Sequence, residues 1–255
     1  RNYHGIKHRR KMGVPQNPVE IVESFINTLF FLSSLHRPDG YAFCFDEGRQ
    51  RRQDFFSDYK KSRQSQNMPE SERKEKARVN VQIAALKKAL PLLGFINVFG
   101  VDGYEADDLL ASCCLALPKN DKAIIVTSDK DLFQLLTKNV SVWTHKKLVT
   151  PQSFEKEYNV KPHDWVWVKS VMGCPSDGIP GIKGIGEISA IKYLNGRLDK
   201  NSIYYKRMTE SVNLLGTVKR NEKLIQLPYP GTPTVTLEND DHDPQAWDRA
   251  IDYFH

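Results

Sequence analysis

GYEADDLL at residues 103–110 and VTSDKDLFQLL at residues 126–136 together decide the fold of this chain. In each region an apolar, strand-like run is followed by a group of acidic residues. These residues are Glu105, Asp107, Asp108, Asp129 and Asp131. Carboxylates at this density repel one another unless cations lie between them. Two solvated acidic loops are the alternative, but each group adjoins an apolar run, which favours a site for hard divalent cations such as Mg²⁺.

Strand-like and helix-like segments alternate through the first 150 residues. The apolar pattern predicts strands at residues 40–46, 96–101, 122–129 and 140–145, and helices at residues 17–35, 79–93 and 105–117. Such alternation is typical of a parallel α/β sheet, whose functional groups collect at the carboxyl ends of the strands. Asp46, Asp129 and the group around Glu105 all lie at or just beyond such ends, which predicts one acidic edge.

The bulk composition narrows the class of protein. The chain has 255 residues, 40% of them hydrophobic and 27% charged, which suffices for one large domain or two modest ones. Its net charge of +6 beside clustered acids indicates a polyanionic substrate held by a basic surface. No apolar stretch reaches the roughly 18 residues of a membrane span. No signal peptide is evident, and since Arg1 is not Met, the natural N-terminus is expected upstream.

The four cysteines, Cys44, Cys113, Cys114 and Cys174, show no zinc-binding spacing. We expect reduced thiols, which fits a reducing compartment such as the cytoplasm of a bacterial or phage-infected cell.

A glycine-rich run, DGIPGIKGIGEISAIKYL at residues 177–194, leads into an apolar, helix-like segment. Backbone N–H groups at the start of a helix can bind phosphate. A dinucleotide-binding loop is disfavoured because no strand precedes the glycines. A helix–hairpin–helix, with its turn at residues 184–186, explains the spacing better, and an ordinary helix-turn-helix in the core stays open as the alternative.

Six segments together resemble the 5′ nuclease (flap endonuclease) family, closest to the 5′-nuclease domain of bacterial DNA polymerase I and to stand-alone bacteriophage 5′-exonucleases. They are RNYHGI (1–6), AFCFDEG (42–48), FFSDYKKSR (55–63), GYEADDLL, TSDKDLFQLL and VMGCPSDGIPGIKGIGEISA (171–190), and the resemblance covers nearly the whole chain. It implies a parallel-sheet, PIN-like α/β nuclease core at residues 1–150, with a helical arch at about 47–80. It also implies a helix–three-turn–helix DNA-binding region at 151–255, whose last segment packs back on the core.

The resemblance also implies roles for single residues. Two Mg²⁺ ions, replaceable by Mn²⁺, would be held by Asp46, Glu105, Asp107 and Asp108 at the first position and by Asp129, Asp131 and Asp177 at the second. Lys60 and Arg63 would act as catalytic residues on the scissile phosphate. DNA would be contacted by Arg52, Tyr59, Lys183, Gly184, Ile185, Gly186 and Lys192, and K⁺ would bind main-chain carbonyls of the glycine turn.

The function implied is that of a metal-dependent, structure-specific 5′→3′ exonuclease and flap endonuclease. Its substrates would be DNA with 5′ flaps, nicks or free 5′ ends, and also RNA primers in RNA–DNA hybrids. We expect a monomer with no membrane association.

Three departures from the family pattern keep an alternative open. Cys174 stands where the family usually has Asp, Ile188 stands where it often has Lys, and the family's first-strand Asp would precede Arg1. Because thiols are poor Mg²⁺ ligands, we expect a weaker second metal position and a shift toward Mn²⁺. The alternative is a catalytically weakened protein of the same fold that binds flaps or junctions. A PIN-type RNase is disfavoured by the glycine-rich hairpin.

Overall fold

Short strands alternate with helices along the chain. The structure, a computed structural model, describes residues 20–61, 69–209 and 214–241. Its helices are α1 Glu20–His36, α2 Gln50–Phe55, α3 Glu70–Leu92, α4 Ala106–Ala116, α5 Pro151–Tyr158, α6 Trp165–Met172, α7 Glu187–Leu194, α8 Ile203–Thr209 and α9 Leu214–Ile225. Its strands are β1 Phe43–Cys44, β2 Val98–Phe99, β3 Ala123–Val126, β4 Val140–Trp143, β5 Leu148–Val149, β6 Gly173–Cys174 and β7 Ile179–Pro180.

The described residues fall into two compact units. The first contains residues 20–45, 69–99 and 237–241, and the second contains residues 46–61, 100–209 and 214–236. The predicted domain boundary at residue 150 lies inside the second unit, so the division at that residue stays a prediction. Across these described ranges, no helix combines the length and the apolar character needed to cross a membrane.

Two helices and a parallel strand pair form the first unit. The first turn of α1 is joined to α3, because the Ile21 N–H donates a 2.9 Å hydrogen bond to the Gln82 side chain. The buried apolar side chains are Val22, Leu29, Leu86, Leu90, Leu93 and Phe95. Strands β1 and β2 are parallel, as predicted, with Phe43 opposite Val98. The spacing of apolar residues along α1 and the end of α3 therefore builds this core.

Helix α3 begins at Glu70, well before the start at residue 79 that the sequence predicted. Its first turns are polar and exposed, and a Lys74–Glu70 pair of 2.8 Å lies along that face. Glu, Lys, Arg and Ala favour helix even where no apolar stripe marks one. Because the prediction relied on apolar periodicity, it left residues 47–78 open between a loop and a mobile helical region, and the structure is helical from Glu70.

A three-stranded sheet forms the frame of the second unit. Strand β3 pairs in parallel with β4, and β5 pairs antiparallel with β4. The largest fully buried side chains around this sheet are Leu132, Val142, Val149, Phe154 and Trp165. The Trp165 indole N–H donates a 2.8 Å hydrogen bond to the Lys130 carbonyl, which fixes α6 against the segment that follows β3. The mixed α/β fold with parallel strand pairs is confirmed.

A tight hairpin between β6 and β7 completes the second unit. Gly173 has φ +74°, and a Cβ there would lie 2.3 Å from the Gly181 nitrogen. Asn221 is fully buried on α9 and donates hydrogen bonds of 2.8 Å to the Ser170 carbonyl and 2.9 Å to the Pro180 carbonyl. The glycine and the asparagine amide thus hold the hairpin closely against α6 and α9.

Candidate metal centre

The N-terminus of α4 carries the centre of the acidic group. Glu105 is the N-cap residue and Asp107 lies in the first turn. Asp46 comes from a distant part of the chain, and its Oδ1 accepts a 2.8 Å hydrogen bond from the Ala106 N–H. Unpaired N–H groups and the helix dipole stabilise negative charge at this end of a helix. The start of α4 therefore gathers three carboxylates from two chain segments.

Asp107 lies in the most crowded electrostatic position of this group. Burial, followed by the negative charges of Asp129 and Asp46, raises the pKa of Asp107 to about 7, while Lys60 opposes the shift. A carboxyl group responds in this way when it is buried and like charges surround it without sufficient counter-charge. Divalent cations would supply that charge, so the donor set fits metal binding.

Lys60 is the nearest basic side chain described at the acidic group. Its Nζ lies 2.5 Å from Glu105 Oε1 and 3.9 Å from Asp177 Oδ2. Its backbone N–H donates a 2.7 Å hydrogen bond to the Asp177 carbonyl, and its φ of +49° is unusual for a lysine. Burial alone would raise the pKa of Glu105, but Lys60 and the Tyr59 hydroxyl lower it. Glu105 is thus held ionised beside a fixed ammonium group.

Asp129 and Asp131 follow strand β3. Asp129 caps the 3₁₀ helix Lys130–Leu135, and its carboxylate accepts a 2.8 Å hydrogen bond from the Asp131 N–H. Asp131 lies 2.8 Å from the Lys169 ammonium. Burial lowers the pKa of Lys169, but the Asp131 charge and hydrogen bond more than reverse the effect. Asp129 is exposed at the end of the strand, while Asp131 is ion-paired beneath it.

The β6–β7 hairpin brings two further donors to Asp131. Ligand atoms of Asp131, Cys174 and Asp177 all lie within 4.8 Å of one another. Cys174 Sγ also contacts the Ser176 hydroxyl at 3.2 Å. Burial keeps the pKa of Asp131 raised in spite of Lys169, which is consistent with neighbouring carboxylates. The predicted second position therefore contains a thiol together with two carboxylates, whereas Asp129, predicted for the same position, is not one of these three donors.

Asp108 does not belong with the other carboxylates, and the expectation that it holds a metal is corrected. Its side chain is fully buried and receives both terminal nitrogens of Arg52, at 2.5 and 2.8 Å. The backbone N–H groups of Tyr229 and Glu105 donate to the same carboxylate at 2.8 and 3.3 Å. Its lone pairs are committed to these donors. Asp108 is a structural anchor rather than a cation ligand.

Arg52 and Tyr59 are likewise removed from the predicted DNA-binding set. Arg52 is 3% exposed, and its Nε donates to the Leu224 carbonyl at 2.8 Å. Tyr59 is 4% exposed, and its hydroxyl donates a 2.6 Å hydrogen bond to Glu105. Buried side chains with these internal partners cannot stack on a base or contact a phosphate. Arg63 lies outside the described residues, as does the RNYHGI segment.

The glycine turn lies in front of α7. Gly184 has φ +79°, and Gly186 is the N-cap residue of α7. Ile185 is 5% exposed and packs into the core, so only its main chain is available to a ligand. The Arg207 guanidinium donates a 2.9 Å hydrogen bond to the Lys183 carbonyl. The side chains of Lys183 and Lys192 are exposed, and their contact with phosphate stays a prediction.

Lys169 was missed by the sequence analysis. It is a single charged residue within WVWVKSVM, the otherwise apolar sequence of α6. A lone lysine in an apolar helix generally needs a buried partner, because unpaired burial of a charge is costly. A single lysine in an apolar helix therefore predicts an acidic neighbour, but it does not identify which residue that is.

Comparison with known proteins assigns the chain to one family, that of the 5′-3′ exonucleases. The family model described as "5'-3' exonuclease, N-terminal resolvase-like domain" matches residues 1–159. The chain belongs to this family.

Two relatives define the similarity in sequence. A 5'-3' exonuclease of Bacillus subtilis (strain 168) is 34% identical over 189 residues, which cover 71% of this chain and 60% of that protein. A thermostable DNA polymerase I of Thermus thermophilus is 41% identical over 116 residues, or 44% of this chain and 14% of that protein. The matched part of the chain is thus a minor portion of the polymerase and less than two thirds of the exonuclease.

Two solved structures show the same fold. One is T5 5'-exonuclease with bound divalent metal ions (zinc), with a TM-score of 0.72, 21% identity, and coverage of 89% of this chain and 88% of that chain. The other is a variant of the bacteriophage T5 flap endonuclease in a pseudo-enzyme-product complex with DNA and metal ions. Its TM-score is 0.65 at 23% identity, with coverage of 81% of this chain and 80% of that chain.

Proposed function

We propose that this protein is a metal-dependent, structure-specific 5′ nuclease that hydrolyses phosphodiesters in DNA with 5′ flaps, nicks or free 5′ ends. The observation that carries the proposal is the convergence of Asp46, Glu105 and Asp129 on Asp107, where burial and then the charges of Asp129 and Asp46 raise the pKa of Asp107 to about 7 although Lys60 opposes the shift. Family membership and the metal and DNA bound by the T5 proteins support the same activity.

Asp46, Glu105 and Asp107, with nearby Asp129, are the residues that would hold a divalent cation, Mg²⁺ in the first instance, and the Asp131–Cys174–Asp177 group would hold a second divalent cation. Bound cations of this kind lower the pKa of water and neutralise charge on a phosphate. Asp108 is left out because its oxygens are committed to Arg52 and to backbone donors. The chain's own acids thereby define where the reacting phosphate can approach.

Lys60 would supply positive charge beside the same position. Its ammonium is fixed by Glu105 and lies near Asp177, so it is already oriented when substrate arrives. Fixed positive charge near a phosphate stabilises the negative charge that develops in the transition state. Arg63 remains a proposed second contact.

The glycine turn would bind the duplex part of the substrate. The Gly186 N-cap at α7 offers backbone N–H groups, and the exposed Lys183 and Lys192 carry positive charge. Contacts of this type hold phosphates without reading sequence, which suits a nuclease that recognises structure. The helix–three-turn–helix assignment, the helical arch, K⁺ binding at the turn, cleavage of RNA–DNA hybrids and a monomeric state belong to this proposal.

Cleavage of a 5′-labelled flap duplex by the protein with its natural N-terminus tests the proposal. We expect cutting near the flap junction with Mg²⁺ or Mn²⁺ and none with EDTA. Asp129→Ala should lower the rate at least about a hundredfold, since it removes a cation donor at the reacting phosphate. Asp121→Ala, which removes an equally exposed acid from a turn of the same unit, is the matched control and should cleave normally.

Two results would contradict the proposal. Cutting that persists in EDTA would exclude the metal. Tight flap binding without cutting in either metal would favour the flap- or junction-binding alternative, for which the thiol of Cys174 is the specific observation.

A further inference from the structure

The position of Cys174 allows its sulfur to act as a metal ligand. It belongs to β6, and the hairpin turn Pro175–Asp177 returns Asp177 to the same side. Gly173 and Gly181 approach too closely to tolerate a Cβ, so the turn has little freedom. Asp131 arrives from the segment after β3. One thiol and two carboxylates from two chain segments thus converge within 4.8 Å.

The spacing of these three donors suits a small, thiophilic cation. Zinc binds cysteine sulfur at about 2.3 Å and carboxylate oxygen at about 2.0–2.2 Å, so two such ligands on a tetrahedral ion lie roughly 3.6 Å apart. The three donors already lie within 4.8 Å of one another, so each pair is at most about 1.2 Å beyond that separation. Three protein ligands also leave a fourth position open, the arrangement found in catalytic rather than structural zinc sites.

The softness of sulfur determines which cation is favoured. Mg²⁺ requires hard oxygen ligands, whereas thiolate selects zinc and similar ions. We propose that Cys174 is a direct ligand and that the Asp131–Cys174–Asp177 position takes a thiophilic divalent cation such as Zn²⁺ or Cd²⁺ in preference to Mg²⁺. On binding, the S–H bond of Cys174 breaks, its proton passes to solvent, and the sulfur electron pair forms the bond to the cation.

A competing explanation is that Cys174 is a small apolar residue that packs against the neighbouring core. It does contact the cluster of Tyr59, Ile179, Leu224 and Ile225. If Cys174 only packs against the core, its sulfur would not bind an added metal and no sulfur-to-metal absorption band would appear. The two explanations therefore make different predictions. The proposal rests on the proposed function only for the presence of a metal centre, and its test needs no DNA.

Titration of the full-length protein with Cd²⁺, followed by ultraviolet absorption, distinguishes these explanations. We expect a sulfur-to-metal charge-transfer band that saturates at one ion per chain and is absent in Cys174→Ser. Cys114→Ser is the matched control: Cys114 packs against the core around the three-stranded sheet and is not one of the three converging donors, so the band should remain. Zn²⁺ affinity should fall at least about tenfold in Cys174→Ser, since even outer-shell changes reduce metal affinity by about 10–100-fold.

Cys174→Asp provides a second variant in case the serine protein folds poorly. It should lose the charge-transfer band while gaining affinity for Mg²⁺. A band that persists in both variants, or that never appears in the wild-type protein, overturns the inference. Flap cleavage by a wild-type protein without the band would leave the proposed function intact, whereas a band without cleavage in any metal would overturn only the proposed function.

Discussion

Replacing Arg52 by leucine would leave the Asp108 carboxylate buried without its counter-ion. The two side chains are joined by hydrogen bonds of 2.5 and 2.8 Å, and both are almost inaccessible to solvent. Breaking a buried pair by removing one partner destabilises a protein by about 3–5 kcal/mol. The substitution also removes the donor to the Leu224 carbonyl, which adds to the loss.

Thermal and urea unfolding, followed by circular dichroism in EDTA, measure this effect. For a protein of this size each kcal/mol corresponds to about 2–4 °C, so Arg52→Leu should lower the Tm by roughly 6–20 °C. The double variant Arg52→Leu/Asp108→Leu should be less destabilised than the sum of the single changes, by about 1–3 kcal/mol, because it leaves no unpaired charge.

Two outcomes would refute the assignment of Asp108 as a structural anchor. One is a loss of less than about 1 kcal/mol in Arg52→Leu, against the roughly 3–5 kcal/mol of a buried pair. The other is an Asp108→Asn protein that keeps its stability while losing Mg²⁺ affinity as strongly as Asp107→Asn does.

Three further changes test the neighbourhood of the acidic group. Asp107→Asn should stabilise the metal-free protein at pH 8, and this gain should shrink progressively toward pH 4. The pKa of Asp107 is raised to about 7 in the folded protein, so the wild-type protein loses stability as pH rises above the unfolded-state pKa of this carboxyl, and the substitution removes that loss. Urea unfolding across this pH range measures the effect. Lys60→Met should raise the pKa of Glu105, because the effect of burial on this carboxyl is then less well opposed. It should also slow flap cleavage by about 10²–10³-fold. Carboxyl NMR titration and cleavage kinetics measure the two effects, and an unchanged pKa of Glu105 would contradict the assigned contact. Gly173→Ala should lower the Tm and weaken metal binding together, because its Cβ would meet backbone atoms at 2.3–2.7 Å; a variant with wild-type Tm would show that the hairpin is looser than described.

The strands that position the site were predicted more accurately from the sequence than the solvated helix was. Strands β1 to β4 lie within their predicted ranges because short apolar, β-prone runs are a local signal. Helix α3 begins at Glu70, in a stretch that the sequence left open between a loop and a helical region, because charged residues form helix without an apolar stripe. The acids that follow β1 and β3 were also predictable from the sequence, but these strands belong to separate sheets, and Asp46 meets the Glu105 group at the start of α4 rather than along one sheet edge.

The roles of neighbouring acids could not be separated by sequence. Asp107 and Asp108 are adjacent in the chain, yet one faces the other carboxylates and the other is enclosed by Arg52 and backbone donors. Successive residues on a helix point about 100° apart, so adjacent acids enter different surroundings. Which surroundings each one meets depends on segments remote in sequence, such as that of Arg52, 56 residues from Asp108.

By itself, the sequence determined the mixed α/β fold, the family and the existence of an acidic site, because these follow from local apolar patterns and from motifs contiguous in the chain. Only the tertiary structure decided that Asp108, Arg52 and Tyr59 are internal, and that Cys174 meets Asp131 and Asp177. Burial, ion pairing and the convergence of donors depend on distances between segments remote in sequence, and those distances are set when the chain packs.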